Sequence, residues 1–174
     1  YNMQDFVHLH VHTYYSILDG QASVQKLVDK AIANGMRGMA VTDHGNMMGI
    51  KDFYNYCKKK NAKLKEEGKP EFIPILGCEM YVAHHNKEDK VRDHGDQSGY
   101  HLIVLAKNAQ GYHNLIKLVS RAWVDGFYMR PRTDRKDLEK YHEGLIVCSA
   151  CIAGEVPAKI LKGNIEGARE AVEW

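Results

Sequence analysis

His10 and His12 stand one residue apart at the end of the first apolar run of the sequence. Alternate side chains of a β-strand share a face, so i, i+2 spacing aims both imidazoles the same way. Asp19 follows in a polar turn, Asp43 and His44 directly follow a second apolar run, and Glu79 lies late in a third. His101 opens a fourth run and Cys151 comes just after a fifth. Imidazole, carboxylate and thiolate are metal donors, and a mixed nitrogen and oxygen set suits Zn²⁺, Mn²⁺ or Fe better than Mg²⁺ or Ca²⁺. Seven candidates exceed the ligands of one tetrahedral zinc, so two or more divalent ions are expected. Clustered divalent ions activate water and stabilise both oxygens of an in-line displacement at phosphorus. Hydrolysis of a phosphate ester is the reaction class that follows. Each motif alone has a plainer reading: a satisfied histidine pair for His-x-His, a capped turn for Asp-His-Gly. A carboxylate inside an apolar strand, as at Glu79, needs a partner or a cation.

The elements that must hold these groups alternate between strand and helix. Strands are expected over 5–11, 38–42, 72–82 (broken by Pro74 and Gly77), 100–106 and 144–149. Ser23 caps a helix that places Val24, Leu27, Val28, Ala31 and Ile32 on one face and ends at Gly35. A second helix carries Ile50, Phe53, Tyr54 and Cys57 on its apolar stripe. Asn108 caps a third, with Tyr112, Leu115, Ile116 and Val119 facing inward. Residues 83–99 read as a surface loop, Pro131 lies in another loop, and helices follow near 134–141, 153 and 164. Such alternation implies an α/β fold of parallel strands with right-handed crossovers, either an open sheet or part of a barrel. Functional groups then belong at the C-terminal ends of strands. His101, at the start of its strand, fits that rule poorly.

The totals set outer limits. A chain of 174 residues, 44% hydrophobic with a mean hydropathy of −0.46, is one domain or a large part of one. A net charge of +2 does not by itself argue for a nucleic-acid partner. Cys57, Cys78, Cys148 and Cys151 form no disulfide framework, which favours a reduced, cytoplasmic setting. No run is long enough to span a membrane, and no membrane partner is expected.

Longer motifs carry a resemblance. His8-Leu-His10-Val-His12-Thr with Tyr15-Ser-Ile-Leu-Asp19-Gly, Val41-Thr-Asp43-His44-Gly45-Asn46, Pro74-Ile-Leu-Gly-Cys-Glu79 and His101-Leu-Ile-Val-Leu-Ala resemble the successive motifs of polymerase and histidinol phosphatase (PHP) domains. The runs from Gly111, Tyr141 and Cys148 resemble the branch at the N-terminus of bacterial DNA polymerase III alpha subunits. The resemblance implies a distorted (β/α)7 barrel and metal ligands at His10, His12, Asp19, His44, Glu79, His101 and Cys151. The first six would also be catalytic, and the two oxygens of its carboxylate make Glu79 the expected bridge between ions. It further implies a 3′–5′ exonuclease acting on DNA, and partnership with the remaining domains and subunits of the polymerase III holoenzyme. The polymerase-type pattern adds a late Asp-x-His pair that does not follow Cys151 here. Residues 1–174 are therefore expected to be a PHP domain without its last strands, and unable to polymerise DNA alone. A metal-stabilised domain without activity and a small-molecule phosphatase are the alternatives.

Other conspicuous residues have plainer expectations. His8 reads as a hydrogen-bonded interior histidine, with a place in the site as the alternative, and His84, His85 and His94 read as solvated. His113 and His142 are assigned nothing. Lysines 58–60, 63, 65 and 69 read as a solvated helix end, with a phosphate-contacting patch as the alternative. Arg130, Arg132 and Arg135 could touch a nucleic-acid backbone or another domain. Cys57 reads as core, and Cys78 as facing away from its neighbour Glu79.

Overall fold

The computed structural model describes residues 6–90 and 99–174, which divide into two compact units, Tyr1–Cys78 and Glu79–Trp174. In the first, helix α1 (Val24–Ala33) begins at Ser23, whose hydroxyl accepts from the Lys26 amide, and it unwinds through Gly35 at φ 76°. Its buried Val24, Val28 and Ala31 have the expected helical spacing. Strand β1 (Gly38–Val41) is buried throughout and leads to helix α2 (Ile50–Glu66). Phe53 and Cys57 of α2 are fully buried, whereas Tyr54 is half exposed and leaves the predicted stripe. Lys60 pairs with Asp29 and Lys69 with Glu67, as a solvated helix end should.

Strand β2 (Ile73–Val82) is continuous, contrary to the expected break. Its first half runs parallel to β1, from Gly38↔Ile73 to Val41↔Leu76. The Ile73 amide donates to the Arg37 carbonyl, so the amide position of Pro74 faces away from the β1 ladder. Proline therefore removes a donor that this pairing does not use. The expected first strand is reduced to a parallel bridge between His8 and Met39, flanked by bonds from Ala40 to His8 and from Thr42 to Val11. Asp5 lies outside the described residues.

The second unit contains the remainder of β2, then β3 (Tyr100–Ala106), α3 (Ala109–Val124), β4 (Phe127–Tyr128), β5 (Arg130–Thr133), α4 (Arg135–Tyr141), β6 (Leu145–Cys148), α5 (Glu155–Leu161) and α6 (Ile165–Glu173). The strand order is β4-β5-β2-β3-β6. The fold is α/β, but the sheet is mixed. β2 and β5 are parallel, whereas β3–β6 and β4–β5 are antiparallel, which corrects the all-parallel expectation. The crossover rule governs strands joined through one helix, and a hairpin and two helices intervene between β3 and β6.

β5 replaces the loop expected around Pro131. Helix α3 buries Leu115, Leu118, Val119 and Ala122, while Ile116 turns outward. Asn108 accepts from the Gly111 amide at its N-terminus. A Cβ on Gly111 would lie 1.8 Å from the Gly144 carbonyl oxygen, so only glycine allows α3 to pack this closely on the turn before β6. Residues 83–90 are not simply a surface loop, since Lys87 is buried and bridges Glu88 and Asp137.

Candidate metal centre

In the first unit, the loop after the His8 bridge is drawn onto the end of β1 by hydroxyl and carboxylate groups. Thr42 Oγ1 accepts from the Val11 amide and donates to the Val11 carbonyl. Asp43 is buried, and its carboxylate accepts from the Thr13 amide, the Thr13 hydroxyl and the Ser16 hydroxyl at 2.7–2.8 Å. Ser16 Oγ in turn accepts from the His44 amide. One carboxylate thus fixes the loop carrying His10, His12 and Asp19 against the residue that precedes His44.

That clamp presents four donor side chains together. His10 Nε2 and His12 Nε2 are 3.0 Å apart, His12 Nδ1 lies 3.2 Å from Asp19 Oδ2, and His44 Nε2 lies 2.9 Å from the same oxygen. Ligand atoms of His12, Asp19 and His44 all fall within 4.8 Å of one another. Burial raises the Asp19 pKa, but hydrogen bonds and charge from His44 and His12 outweigh it and hold the carboxyl below its ordinary range. The carboxylate remains half exposed. Two imidazoles converging on one ionised oxygen at the protein surface can hold a divalent cation, so the residues fit the metal expectation.

The second unit gathers Glu79, His101 and Cys151. Glu79 is fully buried, and His101 Nδ1 lies 2.9 Å from its Oε1. Cys151 Sγ lies 3.5 Å from His101 Nδ1 and 3.8 Å from Glu79 Oε1. The antiparallel register Ile103↔Cys148 explains how His101 gets there. The start of β3 lies beside the end of β6, so the histidine that opens its strand still reaches the edge where β6 delivers Cys151. The His101 amide donates to Ala153, and a bridge to Gly154 fixes the loop. Cys78 has the opposite parity to Glu79, and its thiol donates to the Asp43 carbonyl at 3.4 Å. Cys57 is core, with its thiol pushed up to about 12 by burial.

The remaining histidines divide. His8 is exposed, with its ring edge-on to Phe6 at 4.7 Å, and is not the interior histidine expected. His84 is half buried and stacks on Tyr100 at 4.0 Å, while His85 is exposed and His94 lies outside the described residues. His142 contacts the Glu139 carbonyl at its helix end. The sequence reading missed Thr13, Ser16 and Tyr81. The first two carried a usable signal, as hydroxyl residues flanking a metal-type loop with an aspartate to receive them.

A family model, the PHP domain, matches residues 8–174. The chain belongs to the PHP domain family. It is 46% identical to DNA polymerase III subunit alpha of Borreliella burgdorferi over 97% of this PHP chain and 14% of that relative. It is 44% identical to the Treponema pallidum subunit (95% of the chain, 13% of the relative) and 40% identical to that of Thermus aquaticus (92% and 13%). The PHP chain thus spans 13–14% of the length of these curated relatives. Among solved structures, a protein described as a metal-dependent phosphoesterase from Bifidobacterium adolescentis matches with a TM-score of 0.40 and 19% identity, over 67% of this chain and 32% of that one. No helix among the described residues is long and apolar enough to cross a membrane.

Proposed function

We propose that this chain is the PHP domain of a bacterial DNA polymerase III alpha subunit and a metal-dependent phosphoesterase that hydrolyses the terminal phosphodiester of DNA in the 3′–5′ direction. In this reading it works in the cytoplasm, beside the remaining domains and subunits of the replicative holoenzyme, and has the distorted (β/α)7 barrel of its family. His10, His12, Asp19, His44, Glu79, His101 and Cys151 together hold two or three ions of Zn, Mn or Fe. The observation that carries the reading is the convergence of His12 and His44 on Asp19.

Bound ions would supply a Lewis acid for the phosphoryl oxygen and an activated water. The chain's own groups have separate tasks. Asp43 keeps the His12 loop in place through Thr13 and Ser16. Asp19, ionised over the neutral range, keeps negative charge where cations gather. Glu79, buried against His101, keeps a carboxylate away from bulk water and aimed at the His101 ring.

The test is hydrolysis of a 3′-terminal nucleotide from single-stranded DNA by the full-length protein, freed of contaminating nucleases and loaded with each metal in turn. Asp19→Asn and His44→Ala are expected to lower bound metal and to reduce kcat/KM by at least about a hundredfold, the scale of losing a transition-state contact. Intact DNA at every metal loading would end the nuclease reading. A second reading is a centre kept for stability alone, and the closeness of the Cys151 sulfur to His101 and Glu79 favours it, because sulfur–nitrogen donor sets suit structural zinc. Parallel melting and nuclease assays after chelation separate the two. Lost stability without activity at any loading supports the structural role.

A further inference from the structure

We infer that Arg130 binds a second, non-scissile phosphate of a polynucleotide substrate; the inference rests on the phosphoesterase reading and names its substrate class. The three arginines around Pro131 have different environments. Arg132 is fully buried and donates to the carbonyls of Gly126, Lys87 and Asp89. Arg135 pairs with Glu155 at 2.9 Å and lies over the Trp174 ring. Both guanidinium groups are committed to the fold.

Arg130 is exposed, and among the described residues no carboxylate pairs with it. Its Nη1 donates to the Tyr81 hydroxyl at 2.9 Å, and its guanidinium carbon stands 5.2 Å from the Tyr81 ring centre. Tyr81 is buried, and its ring meets that of His101 edge-on at 5.1 Å. A buried phenol therefore holds one edge of the guanidinium while its ring packs on a proposed ligand. Further N–H donors of Arg130 remain for an anion. The hairpin that carries it pairs Tyr128 with Arg130 through Met129 alone, at φ 60°. A non-glycine residue held there is strained, and such strain is found where a side chain must be aimed.

The contacts through Tyr81 keep the guanidinium carbon within about 10.3 Å of the imidazole centre, a reach that covers successive charges of a nucleic-acid strand. A monoester or a lone diester has no second phosphate to place there.

The experiment compares Arg130→Gln with wild type, both full-length, on a single-stranded oligonucleotide and on bis(4-nitrophenyl) phosphate. The expected result is KM for the oligonucleotide raised about tenfold, the scale of one charge-assisted contact, with the small diester unchanged. Arg130→Lys recovers part of the loss. Equal losses on both substrates would mean that Arg130 only positions Tyr81 and His101, and would overturn the inference; so would no change on either.

Should wild type hydrolyse neither substrate, the phosphoesterase reading fails, and Arg130 is judged by chemical protection instead. Phenylglyoxal modification, followed at residue 130 by peptide mass spectrometry, is then expected to slow at least about fivefold with oligonucleotide and not with inorganic phosphate, since only the former presents adjacent backbone charges. Unslowed modification would overturn the inference.

Discussion

Asp43 accepts three hydrogen bonds from residues thirty or fewer positions earlier, and its carboxylate is buried while it does so. An amide at this position offers one acceptor oxygen and turns an NH₂ toward donors. Asp43→Asn is therefore expected to destabilise the protein by about 2–4 kcal/mol, the range for buried acceptors lost in a connected network. Thermal melting measures that loss, and bound metal should fall with it, because His12 and Asp19 lose their anchor without being touched. Unchanged metal content in a folded Asp43→Asn protein would show that the loop holds its shape unaided. The candidate ligands were legible in the sequence because His-x-His and Asp-His each sit at the end of an apolar run, and the structure brings His12, Asp19 and His44 together. The clamp was not, because Thr13 and Ser16 are ordinary turn residues until Asp43 is known to face them.

At the level of elements, strand direction was the information that the sequence lacked. His101 is misplaced only under the assumption that every strand runs the same way, and the antiparallel β3–β6 pairing removes the difficulty. β5 was hidden for a different reason. Charge and proline mark loops, but Arg132 is buried on carbonyls supplied by Lys87 and Asp89, more than forty residues earlier. The helices were read well because Ser23, Asn108 and Asp134 cap them through their own next turn, a purely local interaction. Helix α4 also carries a pH dependence. Burial opposes ionisation of Asp137, yet hydrogen bonds from Arg121 and Lys87 win and lower its pKa. Its contribution is complete above the unfolded value near ~3.9 and is lost as pH falls through the lower folded value. Asp137→Asn is expected to cost about 3 kcal/mol at pH 7, where a buried pair is broken, and less as pH drops below about 4. Denaturant melts at pH 7 and pH 3 check the sign; an equal penalty at both would discount the ion pairs.

For the molecule as a whole, the proposed ligands divide between two compact units, and Cys78 and Glu79 are consecutive residues of the one strand that belongs to both. Ions held by all seven residues should slow amide exchange in β1 and in β3 alike, because binding to the folded state opposes every opening that releases the ion. Slowing confined to one strand would restrict the ions to that unit's ligands. The position of Cys151 has a consequence of another kind. Cys57 and Cys78 are sealed in the interior, whereas Cys151 is an exposed residue whose sulfur lies beside His101. Alkylating agents and peroxide should find this thiol first, and a coordinated cation should shield it. Iodoacetamide mapping with and without added zinc reads both effects. The PHP chain would then carry its own point of oxidative inactivation, at the single sulfur in its proposed metal shell.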